Sequence, residues 1–268
     1  MSIGYACLAQ AVPGTDIKKC LIKNANPQRL RELIRSNLDA LLNMVEYNIS
    51  NGIRLYRVSS DIIPFASSPV NTIPWADEFK GRLALIGDRI RHSGMRVSMH
   101  PGQYTVLNST NEKIADAAYA ELEYHALFLD SLGVDASHKL VLHIGGVYED
   151  KAAASARFIQ RFQALPERVR RRLVIENDDR SYNISDVLAI SARANIPVVF
   201  DNLHHLANPP DRSIPQEEWI TACASTWGKL DGRQKIHYSQ SDPNRKPGAH
   251  SATIRIDEFM DLLPSVQF

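Results

Sequence analysis

Cysteine is scarce: the 268-residue chain has three, Cys7, Cys20 and Cys223, and no CxxC spacing joins any of them. That excludes a disulfide framework and a thiolate zinc site, and it suits a reducing compartment. A surplus of positive charge is missing too. The formal net charge is only +1, so a polyanionic partner would have to be held by a local basic surface. No apolar run is long enough to span a bilayer. The N-terminus, MSIGYACLAQAVPG, lacks the basic and continuous apolar regions of a signal peptide. No low-complexity tract or linker divides the chain. These absences predict a cytoplasmic protein, one domain over residues 1–268, away from membranes; a monomer is the accompanying expectation.

What is present is ordinary in bulk and ordered in detail. Apolar residues make up 44% and charged residues 23%, close to a typical globular domain. Short β-rich runs alternate with longer amphipathic stretches. Strands are expected at Ile3–Cys7, Arg54–Val58, Arg96–Met99, Lys139–His143, Leu173–Glu176, Pro197–Asp201 and Lys235–Tyr238. Helices are expected near Pro27–Asn48, Trp75–Ser93, Ile114–Leu132, Ala152–Leu165, Ile184–Asn195, Pro215–Thr226 and Ile256–Leu263. The first helix shows the pattern plainly, with Leu30, Leu33, Ile34, Leu38, Leu41 and Leu42 at helical spacing.

Such alternation implies parallel strands, which need long crossover connections. Seven repeats are too many for most doubly wound sheets and nearly enough for a (β/α)8 TIM barrel. The fold class predicted is therefore α/β, a TIM barrel with its eighth strand truncated or missing. After the last helix only Pro264-Ser265-Val266-Gln267-Phe268 remains, and truncation is the expectation.

Chemistry gathers where predicted strands end. The third ends in His100, the fourth in His143, the fifth in Glu176 and the sixth in Asp201; the seventh carries His237. His204, His205 and His250 follow in what read as loops, while His92, His125 and His138 lie on helices or their ends. Taken singly, each has a plain structural explanation, as a hydrogen-bonded histidine or a capping carboxylate. Jointly they point to the mouth of a barrel, where strand C-termini converge. Collecting these groups without a cation would cost several kcal/mol of desolvation and repulsion. Imidazole and carboxylate without thiolate suit Mn²⁺, Zn²⁺, Fe²⁺ or Co²⁺. There are enough ligands for two or three ions, with Glu176 as the natural bridge. Such centres hydrolyse phosphoesters, but they also serve sugar isomerisation.

Particular strings carry a resemblance. Ser59-Ser60-Asp61-Ile62-Ile63-Pro64-Phe65, Met99-His100-Pro101-Gly102-Gln103-Tyr104 and Leu142-His143-Ile144-Gly145-Gly146 resemble segments of the UV damage endonuclease family. So do Ile175-Glu176-Asn177-Asp178-Asp179, Phe200-Asp201-Asn202-Leu203-His204-His205, Lys235-Ile236-His237 and Pro247-Gly248-Ala249-His250. These segments stand in family order and reach to about residue 250. The resemblance implies a barrel nuclease related in fold to endonuclease IV, which nicks damaged double-stranded DNA immediately 5′ to UV photoproducts. It implies two or three divalent ions, commonly Mn²⁺, with Zn²⁺, Co²⁺ or Mg²⁺ as substitutes.

By the same resemblance the metal ligands are His100, His143, Glu176, Asp201, His204, His237 and His250. Asp61 stands where some relatives carry a histidine ligand, and with Glu176, His143 and Lys235 it makes up the implied catalytic set. Lys235 resembles a lysine near the family's metal centre that can be carboxylated. Gln103 and Tyr104 are implied to probe DNA at the lesion, where unstacking a weakened helix costs less. Tyr5 matches a family tyrosine near the flipped nucleotides.

Among basic residues, Arg245 and Lys246 follow the seventh strand on the expected active face and suit phosphate contacts. The cluster Arg168, Arg170, Arg171 and Arg172 precedes the fifth strand and reads as a solvated helix end on the opposite face. Arg57 fits either the mouth or a structural ion pair. One departure stands out: the family's final metal-binding glutamate comes from an eighth strand, which no residue here supplies. An abasic-site endonuclease of similar fold, a sugar isomerase or epimerase, and a truncated damage-binding protein are the alternative readings.

Overall fold

Strand and helix alternate along the chain in the computed structural model, which describes residues 2–245 and 249–266. In chain order the elements are β1 (Gly4–Ala6), α1 (Pro27–Ser50), β2 (Leu55–Val58), α2 (Trp75–Glu78), α3 (Lys80–Ser93), β3 (Arg96–Met99), α4 (Glu112–Ser131) and β4 (Leu140–His143). Then follow α5 (Lys151–Ala164), α6 (Glu167–Arg170), β5 (Leu173–Glu176), α7 (Ile184–Ala194), β6 (Val198–Asp201), α8 (Asn202–Ala207), α9 (Gln216–Ala224), β7 (Ile236–His237) and α10 (Ile256–Leu262). Strand order follows the chain from β1 to β7, and the strand pairings described are parallel. The fold class is that of the TIM barrel, with seven strands among the described residues. No helix among these residues is long and apolar enough to cross a membrane.

Packing groups the chain into two units, Met1–Thr105 with Asp116–Leu140, and Val106–Ala115 with Val141–Phe268. In the first, α1 begins where Asn26 accepts a hydrogen bond from the Arg29 amide at 2.9 Å, a cap worth about 1 kcal/mol. Pro27 occupies the first helical turn, where its missing N–H costs nothing. Most of the expected stripe is the buried face: Leu30, Leu33, Ile34, Leu38 and Leu41 are at most 1% exposed, while Leu42 at its margin is half-buried. Strand register sets Tyr5 opposite Tyr56 and Val58 opposite Met99. The single helix expected at Trp75–Ser93 is two. The backbone of Phe79 leaves helical geometry, with φ −106° and ψ 16°, and that residue separates α2 from α3.

The second unit shows why its strands end in polar residues. Val141 of β4, Val174 of β5 and Val199 of β6 form one buried cluster with Trp227 against it. The Trp227 indole donates to the Val198 carbonyl at 2.8 Å. Side chains alternate along a strand, so residues two further on share that face. Those residues are His143, Glu176 and Asp201. One face therefore carries an apolar layer and, directly beyond it, a layer of ionisable side chains.

Two placements differ from expectation. His204 and His205 lie on a helix, α8, rather than in a loop. The carboxylate of Asp201 accepts from the His204 amide at 2.9 Å and caps the helix that the loop reading missed. Arg172 is no solvated helix end: it is 1% exposed and among the largest buried side chains. Immediately before β5 the chain is already turning into the core. Arg170 does behave as a helix-end residue, pairing with Glu167 at 2.8 Å.

Candidate metal centre

Within the second unit, register places Asp201 opposite His237, and Glu176 of β5 opposite Val199 of β6. Three donors consequently meet. One ligand atom each of Glu176, Asp201 and His237 lies within 4.8 Å of the others. Glu176 and Asp201 are 1% and 4% exposed. Nδ1 of His237 hydrogen-bonds a carboxylate oxygen of Glu176. On its other side Glu176 faces Nε2 of His143 at 3.7 Å.

The histidines extend the group. The rings of His143 and His204 stand 5.4 Å apart, and those of His204 and His250 meet edge-on at 6.2 Å. His250 returns through an antiparallel bridge to Ser241 in the segment after β7. Nδ1 of His204 contacts the Asn177 carbonyl at 2.9 Å. A carbonyl only accepts, so Nδ1 carries the proton and Nε2 keeps its lone pair for a ligand. His205, one residue on, turns about 100° around the helix axis and packs on Phe200 instead, at 5.1 Å. Burial pulls its pKa down, and its Nδ1 has no hydrogen-bond partner. It is a core histidine.

Electrostatics favour a cation here. Burial first, and then the charge of Glu176, push the Asp201 carboxyl up, to about 7. Burial lowers His204, but the Asp201 and Glu176 carboxylates outweigh it and raise the imidazole. Two carboxylates thus share a site too dry to hold both charges comfortably without positive charge nearby. The donor set fits a divalent ion of the Mn²⁺, Zn²⁺ or Co²⁺ type. Lys235, two residues before His237, is 6% exposed.

The remaining expected residues divide between the units. His100 closes β3 in the first unit, its Nδ1 on the Pro101 carbonyl at 3.0 Å, and its own carbonyl accepts from Ser60 Oγ at 2.5 Å. Asp61 sits exposed on a 3-10 turn, Ser60–Ile62, and pairs with Lys19 at 2.5 Å. Tyr5 packs its ring against Tyr56 at 5.1 Å, and burial raises its hydroxyl. Arg57 is half-buried, with its Nε lacking a partner.

Tyr104 is 66% exposed, yet its hydroxyl reaches Glu121 of α4 at 3.3 Å. Burial of that end, then the Glu121 charge, push the phenol up to about 12. Gly102 makes room for the ring: a Cβ there would fall 2.3 Å from Tyr104 Cε1. Gln103 and Arg245 are exposed. Lys246 lies outside the described residues.

Sequence reasoning passed over Asn177 and Asn202. Each is buried and directly follows a carboxylate of the cluster, and the repeated acid–asparagine pair at the ends of β5 and β6 was the available signal.

Fold and site together define an α/β barrel protein with a histidine–carboxylate centre at its strand ends. The family model of UV-endonuclease UvdE matches residues 3–268. A UV DNA damage endonuclease of Clostridium perfringens (strain 13 / Type A) is 43% identical over 268 residues, all of this chain and 65% of that protein. The chain therefore spans about two thirds of that relative's length. The crystal structure of SacUVDE matches with a TM-score of 0.94 at 36% identity, over 100% of this chain and 90% of that one. Endonuclease IV from Thermus thermophilus, at 16% identity and a TM-score of 0.55, covers 79% of this chain and 76% of its own, a likeness of fold alone. The chain belongs to the UV-endonuclease UvdE family.

Proposed function

We propose that the protein is a metal-dependent DNA-repair endonuclease, cutting duplex DNA immediately 5′ to UV photoproducts. The observation that carries the reading is the convergence of Glu176, Asp201 and His237 beside His143, in a chain of this family. His143, Glu176, Asp201, His204, His237 and His250 would hold two or three divalent ions, Mn²⁺ foremost, with His100 as a further ligand from the end of β3. Such ions supply Lewis acidity at a phosphodiester and lower the pKa of water.

The protein's own groups do the rest. Glu176, the most central carboxylate, would help hold the ions while keeping His237 oriented through Nδ1. The buried layer of Val141, Val174 and Val199 seals the site from beneath, so charge there acts in a low dielectric. Lys235, buried on the strand-seven side, completes the catalytic set with Asp61. Gln103, Tyr104 and Tyr5 contact the lesion, and Arg245 and Lys246 hold phosphates. The DNA duplex is the macromolecular partner of a cytoplasmic monomer.

A labelled duplex carrying one photoproduct tests this, with Mn²⁺ added and with EDTA. The expected result is a Mn²⁺-dependent nick directly 5′ to the lesion, leaving a 3′-hydroxyl. An uncut damaged duplex with Mn²⁺ present, or equal cutting of undamaged duplex, would refute it.

A further inference from the structure

The acid–asparagine pairs at the ends of β5 and β6 form a repeated device. The Asn177 side chain donates to the Asp201 carbonyl at 3.0 Å and accepts from the Asp201 amide at 2.9 Å. The Asn202 side chain donates to the Ser239 carbonyl at 3.1 Å and accepts from the Ser239 amide at 2.9 Å. Each primary amide imitates a peptide group and pairs with both backbone groups of one residue in the next strand's exit.

The offset is the same both times. Glu176 opposite Val199 would set Asn177 opposite Phe200, and its side chain reaches one residue further, to Asp201. Asp201 opposite His237 would set Asn202 opposite Tyr238, and its side chain reaches one further, to Ser239. The ladder thus continues past the point where the strands themselves stop. Asn177 is fully buried and Asn202 is 6% exposed, so these bonds face little competition from water. The Asn177 carbonyl also fixes the His204 imidazole.

We infer that Asn177 and Asn202 are positioning residues, which clamp the exits of β5, β6 and β7 so that Glu176, Asp201 and His237 converge on one cation. Short strands of two to four residues need such a clamp. A ladder that short frays at its ends, and the ligands sit at the ends. The inference rests on the metal-centre reading proposed above. Groups that orient ligands from behind typically change metal affinity about 10- to 100-fold when removed.

The test is Mn²⁺ binding to the full chain without DNA, read from the free-ion paramagnetic resonance signal. Asn177→Ala and Asn202→Ala are expected to weaken affinity about 10- to 100-fold. The near-isosteric Asn177→Asp and Asn202→Asp, which keep the volume and lose the donor, serve if the alanine variants fail to fold. Amide exchange adds a readout that needs no metal: the Asp201 amide should lose protection in Asn177→Ala, and the Ser239 amide in Asn202→Ala. Ser191→Ala is the control. It removes a buried bond to the Ile196 carbonyl at the other end of β6, and should lower stability while leaving Mn²⁺ affinity unchanged. Folded asparagine variants with wild-type affinity would overturn the inference, and so would an equal loss in Ser191→Ala. Failure of the unaltered protein to bind Mn²⁺ would overturn the metal-centre reading itself. Normal Mn²⁺ binding without nicking would count only against the proposed reaction, and the clamp would stand on its affinity data.

Discussion

The imidazole of His237 and the carboxylate of Glu176, 61 residues apart in the chain, are joined through Nδ1. Glu176 is 1% exposed and also faces His143 at 3.7 Å, so one buried carboxylate lies between two histidines from different strands. Loss of that carboxylate should therefore do more damage than loss of any single imidazole. Glu176→Ala is expected to abolish nicking and lower bound metal to less than half of the unaltered protein's. His143→Ala should lower both by a smaller factor. Elemental analysis of the dialysed, reloaded protein beside the nicking assay checks this, and full activity with normal metal content in both variants contradicts the centre.

The raised Asp201 carboxyl makes stability and metal binding oppose each other in pH. Its folded pKa, about 7, lies above the ordinary 3.8, so the folded state holds the proton more tightly than the unfolded state. The metal-free protein is then favoured at low pH, and that contribution disappears as pH rises towards and through about 7. His204, also raised, acts with the same sign. Urea unfolding of the metal-free protein should show a loss on the order of 2 kcal/mol between pH 5 and pH 8. Mn²⁺ affinity should rise over the same interval, because the ion displaces the proton. In Asp201→Asn both trends should flatten, and a slope equal to that of the unaltered protein would contradict the assignment.

Gly102 and Tyr104 should behave as one element. A Cβ at 102 would strike the Tyr104 ring, so Gly102→Val displaces the ring while leaving its chemistry intact. Both Gly102→Val and Tyr104→Ala are expected to reduce the preference for damaged over intact duplex about 10-fold, the scale of one lost stacking contact. Metal content should stay normal. An unchanged preference in Tyr104→Ala removes the probing role, whatever Gly102→Val does.

Arg245, exposed beyond β7, should contribute charge without sequence information. Arg245→Ala is expected to weaken binding of damaged and intact duplexes equally and to lower the salt dependence of binding by about one counterion. A selective loss for damaged duplex would place Arg245 at the lesion instead.

Much of this molecule is decided locally. Helical spacing in Leu30, Leu33, Ile34, Leu38 and Leu41 marks the buried face of α1, and the alternation of such stretches with short apolar runs specifies parallel strands joined by helices. Polar residues closing apolar runs mark His100, His143, Glu176, Asp201 and His237, since the recurrence of ionisable groups at one strand end after another is what single caps or hydrogen-bonded histidines leave unexplained. Where propensity alone decided, the reading slipped. Phe79 splits a stretch that looks like one helix, and Asp201 caps a helix in a segment that looks like a loop.

Other properties exist only in three dimensions. His204 and His205 are adjacent and chemically identical, yet one joins the histidine–carboxylate cluster and the other packs on Phe200, because a helix turns each residue about 100° from the last. Asp61 and Lys19, far apart in the chain, form an ion pair. Arg172 has the look of a surface cation and is buried. Asn177 and Asn202 show no periodicity of their own, and they matter because strand register brings their amides to the backbone of the neighbouring strand. Which faces are apolar and which strands end in ionisable groups can be read along the chain, because burial and backbone periodicity act over a few residues. Which side chains meet is settled only on folding, because register and helix rotation set distances between groups that are tens of residues apart.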